Sequence, residues 1–129
     1  MKAEEAAKLV KGKIVSCKEV ADKVKIRSGF SADLMSDVLA LAISPNKDTI
    51  LITGITNPQI VRTAEILDIP VIVVARGKAV PQETIKLAEE KGIILIKTKL
   101  TVFVTSGILY SHGIKGARIL KHGRKSAAG

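Results

Sequence analysis

Three short runs of apolar residues divide the middle of the chain at nearly equal intervals. They extend from Thr49 to Thr53, from Val71 to Ala75 and from Ile93 to Ile96, and they recur about every 22 residues. Each run is continuous and rich in β-branched residues, which is typical of strands that are covered on both faces. The pattern therefore predicts a parallel sheet.

The segments between these runs predict amphipathic helices. After the first run, Asn57 is a good N-cap and Pro58 a good first helical residue, because the amide that proline lacks would be unpaired there. After the second run, Pro81 opens PQETIKLAEEK, and Gly92 is predicted to end that helix in a left-handed conformation. Two right-handed βαβ crossovers follow. The apolar face of the first helix consists of Ile60, Val61, Ala64 and Leu67.

The segment TVFVTSGILYSHG fits a strand by composition and a helix by its place in the βα order. We predict a helix that ends at Gly113. Gly107 would cost this helix about 1 kcal/mol relative to alanine unless another backbone packs closely there. A helix that is apolar all round must be covered on more than one side, so it is either a self-association surface or deeply buried in the monomer. Its apolar residues are Val102, Phe103, Val104, Ile108, Leu109 and Tyr110.

The N-terminal part predicts shorter elements. Residues 3–10 resemble a short helix, and Lys13 to Cys17 a strand. Val24 to Arg27 predict another strand, with Ser28 and Gly29 as the joint to the next helix.

That next helix is predicted from Ser31 to Ala42, with Leu34, Val38 and Leu41 facing inward. Together these elements predict an α/β fold, namely a small three-layer domain with a mostly parallel sheet built from βαβ units.

Length and composition favour one cytoplasmic domain. A chain of 129 residues buries roughly two-thirds of its unfolded surface, and we expect one domain over residues 1–122. The single cysteine, Cys17, excludes an internal disulfide and fits a reducing compartment, where we expect it to be buried. The N-terminus does not resemble a secretory signal, and no apolar run approaches the roughly 20 residues of a membrane span.

The net charge of +9 is unevenly distributed. Residues 91–129 contain eight basic residues and no acidic residue, and we expect residues 123–129 to be a disordered basic tail. Such a tail could neutralise nucleic-acid phosphates, which is an alternative function. Only Phe30, Phe103 and Tyr110 are aromatic, which leaves few platforms for stacking bases.

Three segments resemble the DRTGG domain, in the same order: RSGFSADLMSDVLA, LITGITNPQIVRTAEILDIPVIVVARG and IKLAEEKGIILIKTKLTVFVTSGIL. The last is the most similar, with Thr98, Lys99 and Thr101 after the third strand. The resemblance covers about residues 10–113, so we expect a stand-alone copy. Where the family commonly has Gly-Asp-Arg and Thr-Gly-Gly, this chain has Gly54-Ile55-Thr56 and Ala75-Arg76-Gly77.

DRTGG domains are similar in fold to the N-terminal domain of HPr kinase/phosphorylase. They occur in regulatory parts of some phosphotransacetylases and of pyrophosphatases with CBS domains. The resemblance therefore implies a regulatory, often dimer-forming role beside a separate catalytic site, and no reaction of its own.

Open parallel sheets bind ligands at the carboxyl ends of their strands, where loops meet helix N-termini. Three loops collect there, and no carboxylate is expected to face their three cations. Amides at a helix start favour an anion by about 0.3 to 1 kcal/mol. The candidate ligand-binding residues are Gly54, Thr56, Asn57, Arg76, Gly77, Lys78, Thr98, Lys99 and Thr101. Alternatively, these residues only satisfy turns, a helix cap and solvated charges.

Titratable residues give little support for catalysis. Asp33 and Asp37 lie four apart on a predicted helix, but a carboxylate near a helix start more often compensates the helix dipole. His112 and His122 lack companion ligands at metal spacing. We expect no catalytic residue, no metal and no cofactor.

The leading hypothesis is a homodimeric regulatory or adaptor domain that binds a nucleotide or phosphorylated metabolite and signals to a partner protein. A small phosphoryl-transfer enzyme is a third hypothesis, and it rests on Arg76, Lys78 and Asp37 alone.

Overall fold

The structure is a computed structural model that describes residues 1–34, 37–38 and 47–117. The helices of this part are α1 (Ala3–Leu9), α2 (Pro58–Ile66), α3 (Gln82–Lys91) and α4 (Val102–Ser111), with a short 3-10 helix at Lys18–Val20. The strands are β1 (Lys13–Ser16), β2 (Ser28–Ser31), β3 (Thr49–Thr53), β4 (Val71–Val74), β5 (Ile94–Lys97) and β6 (Lys115–Gly116).

The strands form one sheet in the order β1-β5-β4-β3-β2-β6. The pairs from β2 to β5 are parallel, β6 is parallel to β2, and β1 runs antiparallel to β5 at the edge. Helices α2 and α3 each connect neighbouring parallel strands, as βαβ units do. The predicted α/β fold with a mostly parallel sheet is confirmed.

Helices cover both faces of this sheet, which gives three layers. Alternate side chains of a strand point to opposite faces. In β3, Ile50 and Ile52 belong to the core cluster that includes residues of α1 and α4, whereas Leu51 belongs to the cluster that includes residues of α2 and α3. The central strands are buried on both sides, which explains their continuous apolar sequences.

The predicted signals at helix ends are confirmed. The Gln59 amide donates to Asn57 Oδ1 over 3.1 Å, and Pro58 is the first residue of α2. Gly92 follows α3 with a φ of 71°, a conformation that is cheap for glycine because it has no Cβ. These local signals place the start of α2 and both ends of α3 to within a residue.

The predicted strand from Val24 to Arg27 and its joint to the next helix are wrong. The strand before the β3 segment is β2, not Val24 to Arg27, and Gly29 lies within it rather than at a joint. A Cβ on Gly29 would lie 3.1 Å from Ile114 Cγ2, so glycine fits there because its neighbours pack closely.

The predicted helix from Ser31 to Ala42 is only partly described. Ser31 ends β2, and residues 37–38 are helical, with Val38 buried as predicted. The side chain of Leu34 is 63% exposed, so its predicted inward orientation is wrong. Leu41 lies outside the described residues.

Helix α4 is confirmed, but it is not buried deeply in the monomer. Thr105 and Leu109 face the core, whereas Phe103 is 86% exposed and Tyr110 73% exposed. Of the two alternatives for its apolar surface, burial within the monomer is therefore wrong.

Two predictions concern the ends and location of the chain. The basic tail at 123–129, on which the nucleic-acid hypothesis rests, lies outside the described residues. None of the helices in the described ranges combines the length and hydropathy of a membrane span.

Candidate functional site

The loops after β4 and β5 meet at the carboxyl end of the sheet. The Arg76 amide donates to Leu100 O over 2.7 Å, and the Gly77 amide donates to Thr98 O over 2.9 Å. Arg76 and Gly77 both have positive φ values, 67° and 64°. This left-handed turn holds the backbone of one predicted loop against that of the other.

The loop after β3 already contacts a carboxylate of the protein. The Gly54 amide donates to Asp33 Oδ1 over 2.6 Å, and Lys78 Nζ donates to Gly54 O over 2.9 Å. The expectation that no carboxylate faces these cations is therefore wrong at this loop. Asp33 comes from the segment after β2, a contact across 21 residues that loop composition does not reveal.

Three further candidates form hydrogen bonds within the fold. Thr56 O accepts from Thr84 Oγ1 over 2.8 Å. The side chains of Asn57 and Thr101 accept from the backbone as caps of α2 and α4, the latter from the Val104 amide over 3.2 Å. Each of these groups therefore positions a loop or a helix end.

Thr98 connects two segments that are distant in the chain. Its side chain is buried, and Oγ1 donates to Val10 O over 2.7 Å and accepts from the Leu100 amide over 3.2 Å. Thr98 thus fixes the loop between α1 and β1 against the end of β5.

An open cleft lies beside Thr98, and we call it the lysine cleft. It has a volume of about 520 Å³, within the range of about 300 to 1,000 Å³ that is typical of ligand pockets. Four of its lining residues are lysines and none is acidic. The lining consists of Lys11, Gly12, Lys13, Gly77, Lys97, Thr98, Lys99 and Leu100.

Sequence reasoning found one side of the lysine cleft and missed the other. Gly77, Thr98 and Lys99 were candidates, whereas Lys11 and Lys13 come from the segment KGK before β1. The basic segment was visible in the sequence, but the pairing of β1 with β5 was not.

Lys13 and Lys97 lie directly opposite each other in the antiparallel pair. Like charges in this position are destabilising. Across residues 1–34, 37–38 and 47–117, the one ion pair joins Lys91 of α3 to Glu65 of α2, at 3.3 Å. The lysines of the cleft therefore have no carboxylate partner in the described part of the chain.

A separate cluster brings Cys17, Glu19 and Glu89 together, with one ligand atom of each within 4.8 Å of the others. Glu89 Oε1 accepts from the Cys17 amide over 2.9 Å. Burial and then the charges of Glu89 and Glu19 raise the pKa of the Cys17 thiol from 9.0 to about 11. Cys17 is buried, as predicted.

The titratable residues that were weighed for catalysis have structural contacts. Asp33 bonds the Gly54 amide and lies outside any described helix, so it does not form the predicted helical pair with Asp37. His112 Nδ1 lies 2.8 Å from Ile108 O at the end of α4. His122 lies outside the described residues.

An apolar groove of about 310 Å³ runs beside α4. Phe103, Gly107 and Tyr110 lie on one side of the helix at i, i+4 and i+7. Strands β2 and β6 provide the opposite wall with residues that include Gly29, Phe30 and Gly116.

Comparison with solved structures shows that the fold is DRTGG-like. The chain is similar to the CBS and DRTGG domains of the regulatory region of Clostridium perfringens pyrophosphatase, complexed with the activator diadenosine tetraphosphate. The TM-score is 0.65 at 18% sequence identity, over 95% of this chain. The predicted DRTGG-like fold is confirmed.

The match covers 51% of the pyrophosphatase chain, so this protein spans about half the length of that structure. No protein-family model matches the chain, and no curated protein matches it.

Proposed function

We propose that the chain is a non-catalytic regulatory or adaptor domain of the cytoplasm. It binds a small anionic ligand, a nucleotide or a phosphorylated metabolite, at the carboxyl-end rim of its sheet, and it passes the bound state to a partner protein. The observation that carries this proposal is the lysine cleft, which gathers four cations at that rim with no acidic residue in its lining. The related pyrophosphatase region supports it, because that region regulates and binds a nucleotide activator.

The nine candidate residues differ in what they contribute to the fold and what they offer to a ligand. Gly54, Thr56, Asn57, Thr98 and Thr101 use backbone or side-chain atoms in hydrogen bonds of the fold. Arg76 and Lys99 are exposed and offer charge to a ligand, and Gly77 lines the cleft. Lys78 bonds Gly54 O, which places its charge at the β3 loop.

Regulation rather than catalysis is favoured by what the titratable groups contact. General acid or base catalysis needs a group within hydrogen-bond reach of a reacting proton. In the described residues, Asp33 is bonded to a backbone amide, and His112 lies beside a helix carbonyl.

The protein is further proposed to be a homodimer through α4 and the apolar groove. Val102–Ser111 contains no charged residue, while the chain as a whole carries +9. An uncharged surface can meet its own copy without like-charge repulsion, as an isologous interface requires. Phe103 and Tyr110 would enter the interface, where aromatic residues are enriched.

Isothermal titration of the full chain tests the ligand proposal. The panel contains adenine and guanine nucleotides, diadenosine tetraphosphate, inorganic polyphosphates and phosphorylated sugars. Saturable binding of at least one anion, weakened by added salt, is expected because the cleft is cationic. Flat heats with every compound would contradict the proposal.

A further inference from the structure

We infer that the anion site lies on the β1 side of β5, in the lysine cleft, and that it recognises ligands with two or more linked phosphates through their charge. This inference rests on the proposed function and specifies its site and ligand class. Lys11, Lys13 and Lys97 become ligand contacts beside Lys99, although none of the three belongs to the β3 and β4 loops.

The positive charges of the cleft determine which class of ligand it fits. Lys13 of β1 and Lys97 of β5 lie opposite each other on adjacent strands. Such cross-strand neighbours have Cβ atoms about 4.5 to 5.5 Å apart. Lys11 and Lys99 extend the positive charge. A single phosphate group carries about −1.5 to −2 at neutral pH, so four lysines are better matched by linked phosphates.

The backbone of the cleft is held in place by contacts within the fold. Lys11 has a φ of 54°, which is uncommon for a residue other than glycine. A Cβ on the next residue, Gly12, would lie 2.6 Å from Ile96 Cγ2, so this loop packs directly on β5. The bond from Thr98 to Val10 O fixes the same loop. A site that is already ordered loses less conformational entropy when it binds.

The other half of the rim is less suited to an anion. Asp33 occupies the Gly54 amide, and its negative charge would repel a phosphate at the β3 loop. On the other side, an adjacent groove shares Gly12 and Lys13, and its lining contains Glu4 together with Lys8 and Lys18. The positive charge is therefore concentrated between β1 and the β5 loop.

The lining residues also indicate that the site does not recognise the base of a nucleotide. Apart from the lysines, its side chains are those of Leu100 and Thr98, and the Thr98 hydroxyl is already bonded within the protein. No aromatic ring or side-chain amide lines the cleft to stack on a base or to bond its edge. Affinity should therefore follow the number of linked phosphates and not the identity of the base.

Titration calorimetry on the full chain with defined phosphates tests this inference. Tripolyphosphate and ATP should bind with similar affinity, GTP should match ATP, and orthophosphate and AMP should bind at least tenfold more weakly. Lys13→Gln and Lys97→Gln should each weaken tripolyphosphate binding about tenfold, because each removes one charge-assisted contact.

Lys86→Gln is the matched control, because Lys86 is exposed on α3 and does not line the cleft. It removes the same charge and should leave the affinity unchanged. Thermal melting of all variants should show that the loss of binding is not a loss of folding.

Two results would overturn the inference and leave the proposed function standing. One is phosphate binding that survives Lys13→Gln and Lys97→Gln but is lost in Arg76→Gln, which would place the ligand at the β4 loop. The other is binding that discriminates between bases but not between phosphate numbers. If no anion of the panel binds to the wild-type chain, the inference and the proposed function both fail.

Discussion

At the scale of single residues, Thr98 is a predicted ligand contact whose hydroxyl also holds two segments of the fold together. Its hydroxyl satisfies two backbone groups in a buried place. Thr98→Val should lower the free energy of unfolding by about 1 to 3 kcal/mol, because it leaves a buried carbonyl and a partly buried amide without their partner. Urea denaturation followed by circular dichroism measures this change.

Thr105→Val is the matched control. Thr105 is also fully buried, but its Oγ1 has no hydrogen-bond partner within the described residues. Replacing an unpaired hydroxyl with a methyl group should leave stability unchanged or raise it. Equal destabilisation by both substitutions would show that volume and not hydrogen bonding determines the result.

Cys17 provides a second prediction at this scale. A thiol pKa of about 11 in place of 9.0 lowers the thiolate fraction near neutral pH about a hundredfold. We expect native Cys17 to react with an alkylating reagent at least that much more slowly than the urea-unfolded chain, since only the thiolate is nucleophilic. Mass spectrometry of timed samples measures both rates, and equal rates would contradict the raised pKa.

The same raised pKa predicts a pH dependence of stability. The unfolded thiol ionises near pH 9 and the folded thiol near pH 11, so folding favours the protonated form. Its contribution to stability is complete below about pH 9 and is lost as the pH rises toward 11. Cys17→Ser should remove the part of the loss of stability at alkaline pH that ionisation of the thiol causes.

At the scale of elements, Gly107 separates monomer stability from self-association. A Cβ at Gly107 would have nothing within 4 Å, so the described monomer gives no packing reason for a glycine in α4. Gly107→Ala should stabilise the monomer by up to about 1 kcal/mol through helix propensity, and it should weaken the proposed dimer if another backbone packs closely there.

Phe103→Ser provides the companion variant. Phe103 is largely exposed, so this change should affect monomer stability little and should abolish the dimer. Light scattering coupled to size exclusion reports the mass of each variant. A wild-type chain that is monomeric over the accessible concentration range would contradict self-association through α4.

The pairing of β1 with β5 gives a further prediction at this scale. Lys13→Glu places an opposite charge across from Lys97 and should raise the free energy of unfolding by about 0.2 to 1 kcal/mol. Tripolyphosphate should raise the melting temperature of the wild type and not that of this variant, because ligand binding stabilises only a state that binds. A variant that is less stable than the wild type would show that the two lysines do not repel each other.

At the scale of the whole molecule, the sequence predicted the parts that depend on local signals. Asn57, Pro58 and Gly92 mark helix ends by their own backbone preferences, and continuous apolar runs mark buried parallel strands. The contact between Asp33 and Gly54 and the facing of Lys13 and Lys97 depend on strand order instead. Neither contact is visible in local composition. The predicted rim therefore lacked the lysines Lys11 and Lys13 on one side and the carboxylate of Asp33 on the other.

Linked phosphates are proposed to bind between β1 and the loop after β5. Amide NMR spectra of the 15N-labelled full chain, titrated with tripolyphosphate, test it most directly. We expect saturable shifts concentrated at residues 10–13, 77 and 97–100, with little change at 54–57. Shifts centred on 54–57, or spectra that do not change at millimolar ligand, would contradict it.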